Sequence, residues 1–229
     1  MIITEKLLEY TLKHQEPYEV EIPLTKSSLV IMVFPNVFPP ISPFSYDSVP
    51  LAQSVEQYFN EHYDKIFTKS VLDVGSGTGI HSIVSAIKGA KKVVATDISP
   101  YAIDNINYNV QIKNLQNVIE TRKGNLFEPI KKDEKFDLVI ANLPFVNHPA
   151  KEHYEHWVYD EDYQSHKTFF RKVSSYLTEN GNILIAFSDI GDMDFFENEI
   201  KKNSLEIINH KKYEKITHNW TIHTLGRKT

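Results

Sequence analysis

Apolar residues in this chain fall into short, almost unbroken runs separated by stretches of helical period. Val71-Leu72-Asp73-Val74, Val93-Val94-Ala95-Thr96, Phe136-Asp137-Leu138-Val139-Ile140-Ala141 and Ile183-Leu184-Ile185-Ala186-Phe187 are too short for helices and too uniformly apolar for half-exposed strands. They predict strands covered on both faces, as in a parallel sheet. Ile80 to Ile87 reads as a helix, and Ala102 to Lys113 carries Ile103, Ile106 and Val110 along one side. Ser99-Pro100 starts that second helix, with serine as cap and proline in the first turn. Tyr163 to Leu177 repeats Phe169, Phe170, Val173 and Leu177 at helical spacing, and Phe195 to Lys202 is a further helix. Asn117 to Thr121 is a short strand, and Asn180-Gly181 supplies a turn into the run at Ile183. Leu205 to His210 and Thr217 to Leu225 are two closing strands with no helix between them, which suggests an antiparallel pair at one sheet edge.

Strands alternating with helices imply right-handed crossovers and an α/β fold with helices on both faces of the sheet. Residues 1–50 stand apart from this alternation. Thr4 to His14 predicts a helix with Leu7, Leu8 and Leu12 inward, and Tyr18 to Ile22 with Leu29 to Phe34 predicts a hairpin. Pro35, Pro39, Pro40, Pro43 and Pro50 then rigidify an extended segment, either a tie to the core surface or a wall of a substrate pocket. The expected organisation is an extension at 1–50 and an α/β domain at 51–229.

Composition narrows this picture modestly. A chain of 229 residues with no cysteine has no disulfide or thiol chemistry, and nothing in it resembles an 18-residue apolar span or a signal peptide. The expectation is a cytoplasmic protein with no membrane partner. Net charge is −5, which leans against unaided binding of a large duplex, since phosphate contacts call for a basic face. Lys88, Lys91 and Lys92, like Lys131 and Lys132, flank strands and read as solvated edges.

The candidate chemistry begins at Asp73-Val74-Gly75-Ser76-Gly77-Thr78-Gly79, a glycine-rich loop between a strand and a helix. Glycines there allow a sharp turn and close approach of a ligand to the backbone and helix N-terminus. The dinucleotide fingerprint wants its third glycine one residue later, where Ile80 stands, so a nicotinamide enzyme is the weaker reading. About 20 residues on, Asp97 ends a second buried strand, where a nucleotide-binding corner needs an acceptor for ribose hydroxyls. Asn142-Leu143-Pro144-Phe145 follows the run ending at Ala141, at the carboxyl edge of the same sheet.

The pattern D-x-G-x-G-x-G resembles the first motif of S-adenosylmethionine (SAM) dependent methyltransferases, and N-L-P-F resembles the [N/D]-P-P-[Y/F] motif of those that methylate planar nitrogens. Gly124-Asn125-Leu126-Phe127 is similar to the family's G-D-[LM]-F, and Val37-Phe38-x-Pro40 with Asp47-Ser48-x-x-Leu51 to the segment before the glycine loop in protein-glutamine methyltransferases. The likeness covers about residues 37–187 and is nearest to the small-domain methyltransferase superfamily. It implies a Rossmann-like class I methyltransferase fold, a mostly parallel seven-stranded sheet with an antiparallel last strand. It implies SAM held by Asp73, Gly75, Gly77, Thr78, Gly79, Asp97, Ile98, Asn125 and Leu126. Asn142 and the Leu143 carbonyl would bind the acceptor's N–H groups, Pro144 would stiffen the loop, and Phe145 would stack on the planar group.

The implied acceptor is an amide or exocyclic amine nitrogen of a protein glutamine or a nucleic-acid base. A small-molecule methyltransferase and a non-catalytic SAM-binding scaffold are the alternatives. The histidines His148, His153 and His156 match no zinc spacing, and methyl transfer needs no metal, so no metal site is expected. Their loop reads either as a cover over the substrate or as plain surface, and His166 reads as structural.

Overall fold

A computed structural model describes residues 2–42, 45, 47–62, 69–214 and 219–228. Pro43, Thr217 and His218, which the sequence reading places in an extended segment and a strand, lie outside the described residues. Seven strands form one sheet: β3 (Ser70–Val74), β4 (Lys92–Asp97), β5 (Ile119–Lys123), β6 (Phe136–Ala141), β7 (Leu177–Ser188), β8 (Leu205–Glu214) and β9 (Asn219–Arg227). Their order is β5-β4-β3-β6-β7-β9-β8. β3 to β7 are parallel, and β9 runs antiparallel between β7 and β8. The chain moves outward from β3 to β5 and then crosses to β6, so β3 and β6 flank the topological switch point where such sheets bind ligands.

Side-chain parity explains the apolar runs. Leu72, Val74, Val94, Val139, Ala141, Ile183, Ile185 and Phe187 face one side and pack with Phe169, Phe170 and Val173 of α5 (Gln164–Val173) and Phe196 and Ile200 of α6 (Met193–Lys202). Val71, Val93, Ala95, Leu138, Ile140, Leu184 and Ala186 face the other. They meet α2 (Ser48–Glu61), α3 (Ile80–Ile87) and α4 (Pro100–Ile112). The central strands β3, β4 and β6 and the second half of β7 are therefore buried on both sides, which demands apolar residues at nearly every position, whereas the edge strands β5 and β8 stay largely exposed.

Several local expectations change. α2 has no counterpart in the sequence reading, although Leu51, Val55, Tyr58 and Phe59 recur at helical spacing on its buried side. α5 ends at Val173, a 3₁₀ turn covers Ser174–Tyr176, and Leu177 opens β7. Asn180-Gly181 lies within β7 at a register shift against β6 instead of forming a turn. A side chain at Gly181 would come within 2.8 Å of the Phe136 carbonyl. Among the described side chains of α1 (Ile2–Lys13) only Leu7 reaches the core; Leu8 and Leu12 are exposed, Leu12 at 66%.

The N-terminal hairpin, β1 (Tyr18–Pro23) with β2 (Ser28–Val33), joins the sheet's α2–α4 side through Ile22, Leu29 and Ile31. Asn105 and Asn109, one turn apart on α4 and fully buried, take the place of a partner strand for β2. Their Oδ1 atoms accept the Phe34 and Met32 N–H groups at 2.9 and 2.8 Å. Their Nδ2 groups donate to the Met32 carbonyl. Asn109 Nδ2 also donates to the Thr78 carbonyl at 3.0 Å, tying the hairpin to the glycine loop. Paired edge groups of this kind satisfy backbone that would otherwise stay open.

His223 on β9 is a testable liability of this packing. It is 5% exposed, packs at a tilt against Phe196 with ring centroids 4.8 Å apart, and neither ring nitrogen has a hydrogen-bond partner among the described residues. Burial, aided by His210, pushes its pKa down from 6.5 to about 4. Between those values the unfolded chain takes up a proton that the folded chain refuses, so stability is lost as pH falls from 6.5 towards 4. His223→Leu is expected to remove up to about 3 kcal/mol of that loss. Urea melts at pH 7 and pH 4.5 should converge in the variant relative to wild type; an unchanged pH dependence would contradict the assignment.

Candidate active site

One cavity of about 840 Å³ lies beyond the carboxyl ends of β3, β4 and β6. Gly75, Ser76, Gly77, Thr78, Asp97, Ile98, Asn125, Leu126, Asn142, Leu143 and Pro144 all line it. Its size falls within the roughly 300–1,000 Å³ typical of small-molecule and cofactor sites. The sequence motifs thus converge, though 71 to 144 spans much of the chain.

The glycine loop is shaped by its ties to β4. Gly75 and Ser76 donate N–H groups to the Thr96 carbonyl at 2.9 Å. Gly77 donates to Asp97 Oδ2 at 2.9 Å, and Ser99 N–H donates to Oδ1 of the same carboxylate at 2.9 Å. Gly75, Gly77 and Gly79 all have positive φ, the left-handed region that other residues avoid. No atom would lie within 4 Å of a Cβ at Gly77, so this glycine leaves space open to the cavity. Across the crevice, a Cβ at Gly75 would touch Leu143 at 3.7 Å, which brings the two motifs into contact.

Asp97 keeps unused lone pairs on both oxygens, and burial pushes its carboxyl above the usual range. Ser76 Oγ and Ser99 Oγ are buried, line the cavity and have no partner among the described residues. Buried hydroxyls without partners mark a wall built for a polar ligand. Gly124 N–H bonds the Asp97 carbonyl at 2.9 Å, and Thr96 Oγ1 donates to the Leu126 carbonyl at 3.1 Å, so the Asn125-Leu126 turn is fastened to β4. Leu126 is itself left-handed, at φ 50°.

Three expected site residues sit elsewhere. Asp73 shares parity with Val71, so its carboxylate points into the α3 layer and not into the cavity. There Oδ2 accepts the Ser82 N–H at 3.0 Å and the Ser82 hydroxyl at 2.6 Å, and burial raises its pKa. Gly79 is covered by Ile106 and acts at the entry to α3. Phe145 packs edge-on against Trp220 at 4.5 Å inside the core, which anchors the loop and leaves no ring face for a ligand.

Asn142 has partners that sequence reasoning missed. Its Nδ2 donates to Ser48 Oγ at 3.3 Å and also reaches the Asp47 carboxylate. Both partners stand at the start of α2 and are buried. Burial raises the Asp47 pKa, with the Asn142 bond opposing the rise. With the amide nitrogen held on that side, Oδ1 is the acceptor left for a ligand. His81 Nε2 lies 3.1 Å from the Ser48 carbonyl and its Nδ1 4.0 Å from Asp73, linking both motifs through one buried chain of polar groups.

The far wall comes from residues 150–165. Val146 and Asp160 close its base, with Val146 N–H on the Val158 carbonyl and Asp160 N–H on the Val146 carbonyl. Glu155 Oε2 accepts the Lys151 and Glu152 N–H groups at 2.7 and 3.0 Å. His153, His156, Trp157 and Tyr159 line the cavity, whereas His148 does not and packs at a tilt against Tyr159. His166 is fully buried, with Nδ1 3.2 Å from Asp160 Oδ2. Asp162 and Tyr163 are consecutive non-glycine residues at φ 51° and 52°, an arrangement that costs of order 1–2 kcal/mol per residue. Asn147 Oδ1 accepts the Asp162 N–H at 2.8 Å, and the Tyr163 hydroxyl accepts the Asp192 N–H at 2.9 Å, holding the strained pair in place.

Known proteins resemble this chain in sequence and in fold. Over 150 residues the chain is 30% identical to a ribosomal protein L11 methyltransferase of Alkaliphilus oremlandii, a match covering 65% of this chain and 42% of that protein. The chain thus spans less than half the length of that curated relative. The solved ribosomal protein L11 methylase of Lactobacillus delbrueckii aligns with a TM-score of 0.63 at 20% identity, over 91% of this chain and 99% of that one. The 16S rRNA methyltransferase RsmC of T. thermophilus, solved with AdoMet and guanosine, gives a TM-score of 0.66 at 14% identity, over 93% and 51%. Those two likenesses establish the fold. Residues 44–218, most of the length and all of the cavity motifs from Asn142 back to Gly75, match the methyltransferase small domain model, and the chain belongs to that family.

Proposed function

We propose that this protein is a SAM-dependent N-methyltransferase that acts on an amide or exocyclic amine nitrogen of a protein glutamine or a nucleic-acid base. One observation carries the reading: Asn142 lines the cavity together with Gly77 and Asp97, and with its amide nitrogen tied to Ser48 and Asp47 its Oδ1 is the group left to accept from a ligand. The orphaned Ser76 and Ser99 hydroxyls and the open space at Gly77 fit a SAM molecule on that side. Asp97 would accept from its ribose, and Asn125 with Leu126 and Ile98 would flank its adenine. Bound there, SAM supplies an electrophilic methyl group on a sulfonium.

The chain's own residues would do the rest. An amide or base nitrogen is a poor nucleophile because its lone pair is delocalised. Asn142 Oδ1 and the Leu143 carbonyl would accept its two N–H groups and fix its lone pair in line with the methyl. These bonds strengthen as positive charge grows on nitrogen, so they favour the transition state over the ground state. Holding donor and acceptor together supplies much of the remaining acceleration. The proton leaves after the N–C bond forms, so no strong base is required. Asp73, buried behind the glycine loop, would support the loop through Ser82 and His81.

Incubation of the protein with methyl-labelled SAM and separate protein, RNA and small-molecule fractions tests the reading. Label should enter a protein or RNA fraction and disappear with Asn142→Ala. Label confined to small molecules would favour the alternative substrate class, and SAM binding without transfer to any fraction would favour a scaffold.

A further inference from the structure

We infer that the acceptor nitrogen enters the cavity on a cationic polypeptide segment, an amide side chain flanked by lysine or arginine. This inference rests on the methyltransferase reading and narrows its substrate class. Among the described residues lining the cavity there is no lysine or arginine, while Asp97, Asp160, Glu161 and Asp162 all line it. Asp97 belongs to the cofactor side. Asp160 is turned inward, its oxygens accepting the Ser165 and His166 N–H groups. Glu161 and Asp162 remain, both exposed and neither in an ion pair among the described residues. Lys151 and Lys167 are the nearest basic residues in sequence and neither lines the cavity.

The backbone that presents these two carboxylates is strained. Asp162 and Tyr163 are held left-handed by the Asn147 and Asp192 bonds and by the stacking of Tyr163 on Phe195 at 4.2 Å. Strain that surroundings enforce at a ligand site points to a task for the residues it displays. Phe38 and Trp157 line the same cavity, and aromatic faces attract guanidinium and ammonium groups. On its cofactor side the same cavity is marked as a ligand site by the buried Ser76 hydroxyl, which has no partner among the described residues. A nucleotide would bring phosphates to a wall that carries Glu161 and Asp162 and, among the described residues, no lysine or arginine, which costs affinity. A cationic peptide meets complementary charge and stacking surface at the same wall.

The test compares three probes on the SAM-saturated protein by fluorescence anisotropy. Two are heptapeptides with one central glutamine, flanked by lysine and arginine or by glutamate, and the third is a seven-nucleotide RNA. The basic peptide should bind roughly tenfold tighter than the acidic one, with a preference that shrinks as salt rises. Glu161→Gln with Asp162→Asn should cut that preference below about threefold and leave SAM affinity unchanged. Asparagine tolerates the left-handed backbone as aspartate does, so this variant should keep the wild-type melting point. An RNA that binds tighter than the basic peptide, or a charge preference that survives the double variant, would overturn the inference. Failure to bind SAM at all would instead remove the methyltransferase reading beneath it.

Discussion

Asn142→Ala is expected to slow methyl transfer by about 10²–10³-fold while SAM affinity stays within twofold. The magnitude is that of removing one preorganised hydrogen-bonding group from a site where charge develops. Among the described residues the hydrogen-bond partners of Asn142 are Ser48 and Asp47 at the start of α2, and none belongs to the loop that would hold the cofactor. Alanine would leave those two buried groups without their donor, a stability cost of about 1–3 kcal/mol that a thermal melt would register separately. Asn142→Asp sharpens the comparison. It keeps the shape and an acceptor oxygen but sets a second carboxylate against buried Asp47, so it should be at least as inactive as alanine. A variant that retained wild-type turnover would show that the acceptor is oriented by other groups.

Gly79→Ala and Gly77→Ala should fail in opposite ways. A Cβ on Gly79 would stand 2.4 Å from Ile106 Cγ1 and 2.7 Å from Cδ1, at φ +82°. Ile106 is fully buried and has nowhere to swing. The left-handed penalty and the overpacking together predict a loss of about 3 kcal/mol. For a chain of this size that is a fall of roughly 6–12 °C in Tm. At Gly77 the space is open and φ is +54°, so the cost in stability is about 1 kcal/mol. The new methyl would occupy the cavity, and SAM affinity should drop at least tenfold. Calorimetric melts and SAM titrations on both variants check the pair; equal effects on stability would contradict the geometry.

How far the sequence revealed this molecule depends on which physics each residue obeys. The sheet strands were readable because burial on both faces leaves a continuous apolar run at Val71–Val74 or Ile183–Phe187. The antiparallel edge was readable because no helix separates the last two strands. Asp73 was assigned to the ligand through its place in the glycine motif. Its parity with Val71 turns it towards Ser82, a signal present in the alternation of the strand itself. Phe145 illustrates a different failure: an aromatic beside a strand end suits either a ligand or a core, and only Trp220, 75 positions on, decides between them. The same holds for Asp47 and Ser48, whose hold on Asn142 exists only once α2 has folded beside β6. α2 itself was hidden by the proline-rich lead-in, although Leu51, Val55 and Phe59 carried its period.

Isothermal titration of wild type and Asp97→Ala with SAM, and separately with NADH, tests the central claim most directly. The account predicts micromolar SAM binding to wild type, a loss of at least tenfold in Asp97→Ala, and no heat with NADH. NADH binding with SAM silent, or SAM binding untouched by the loss of Asp97, would contradict it.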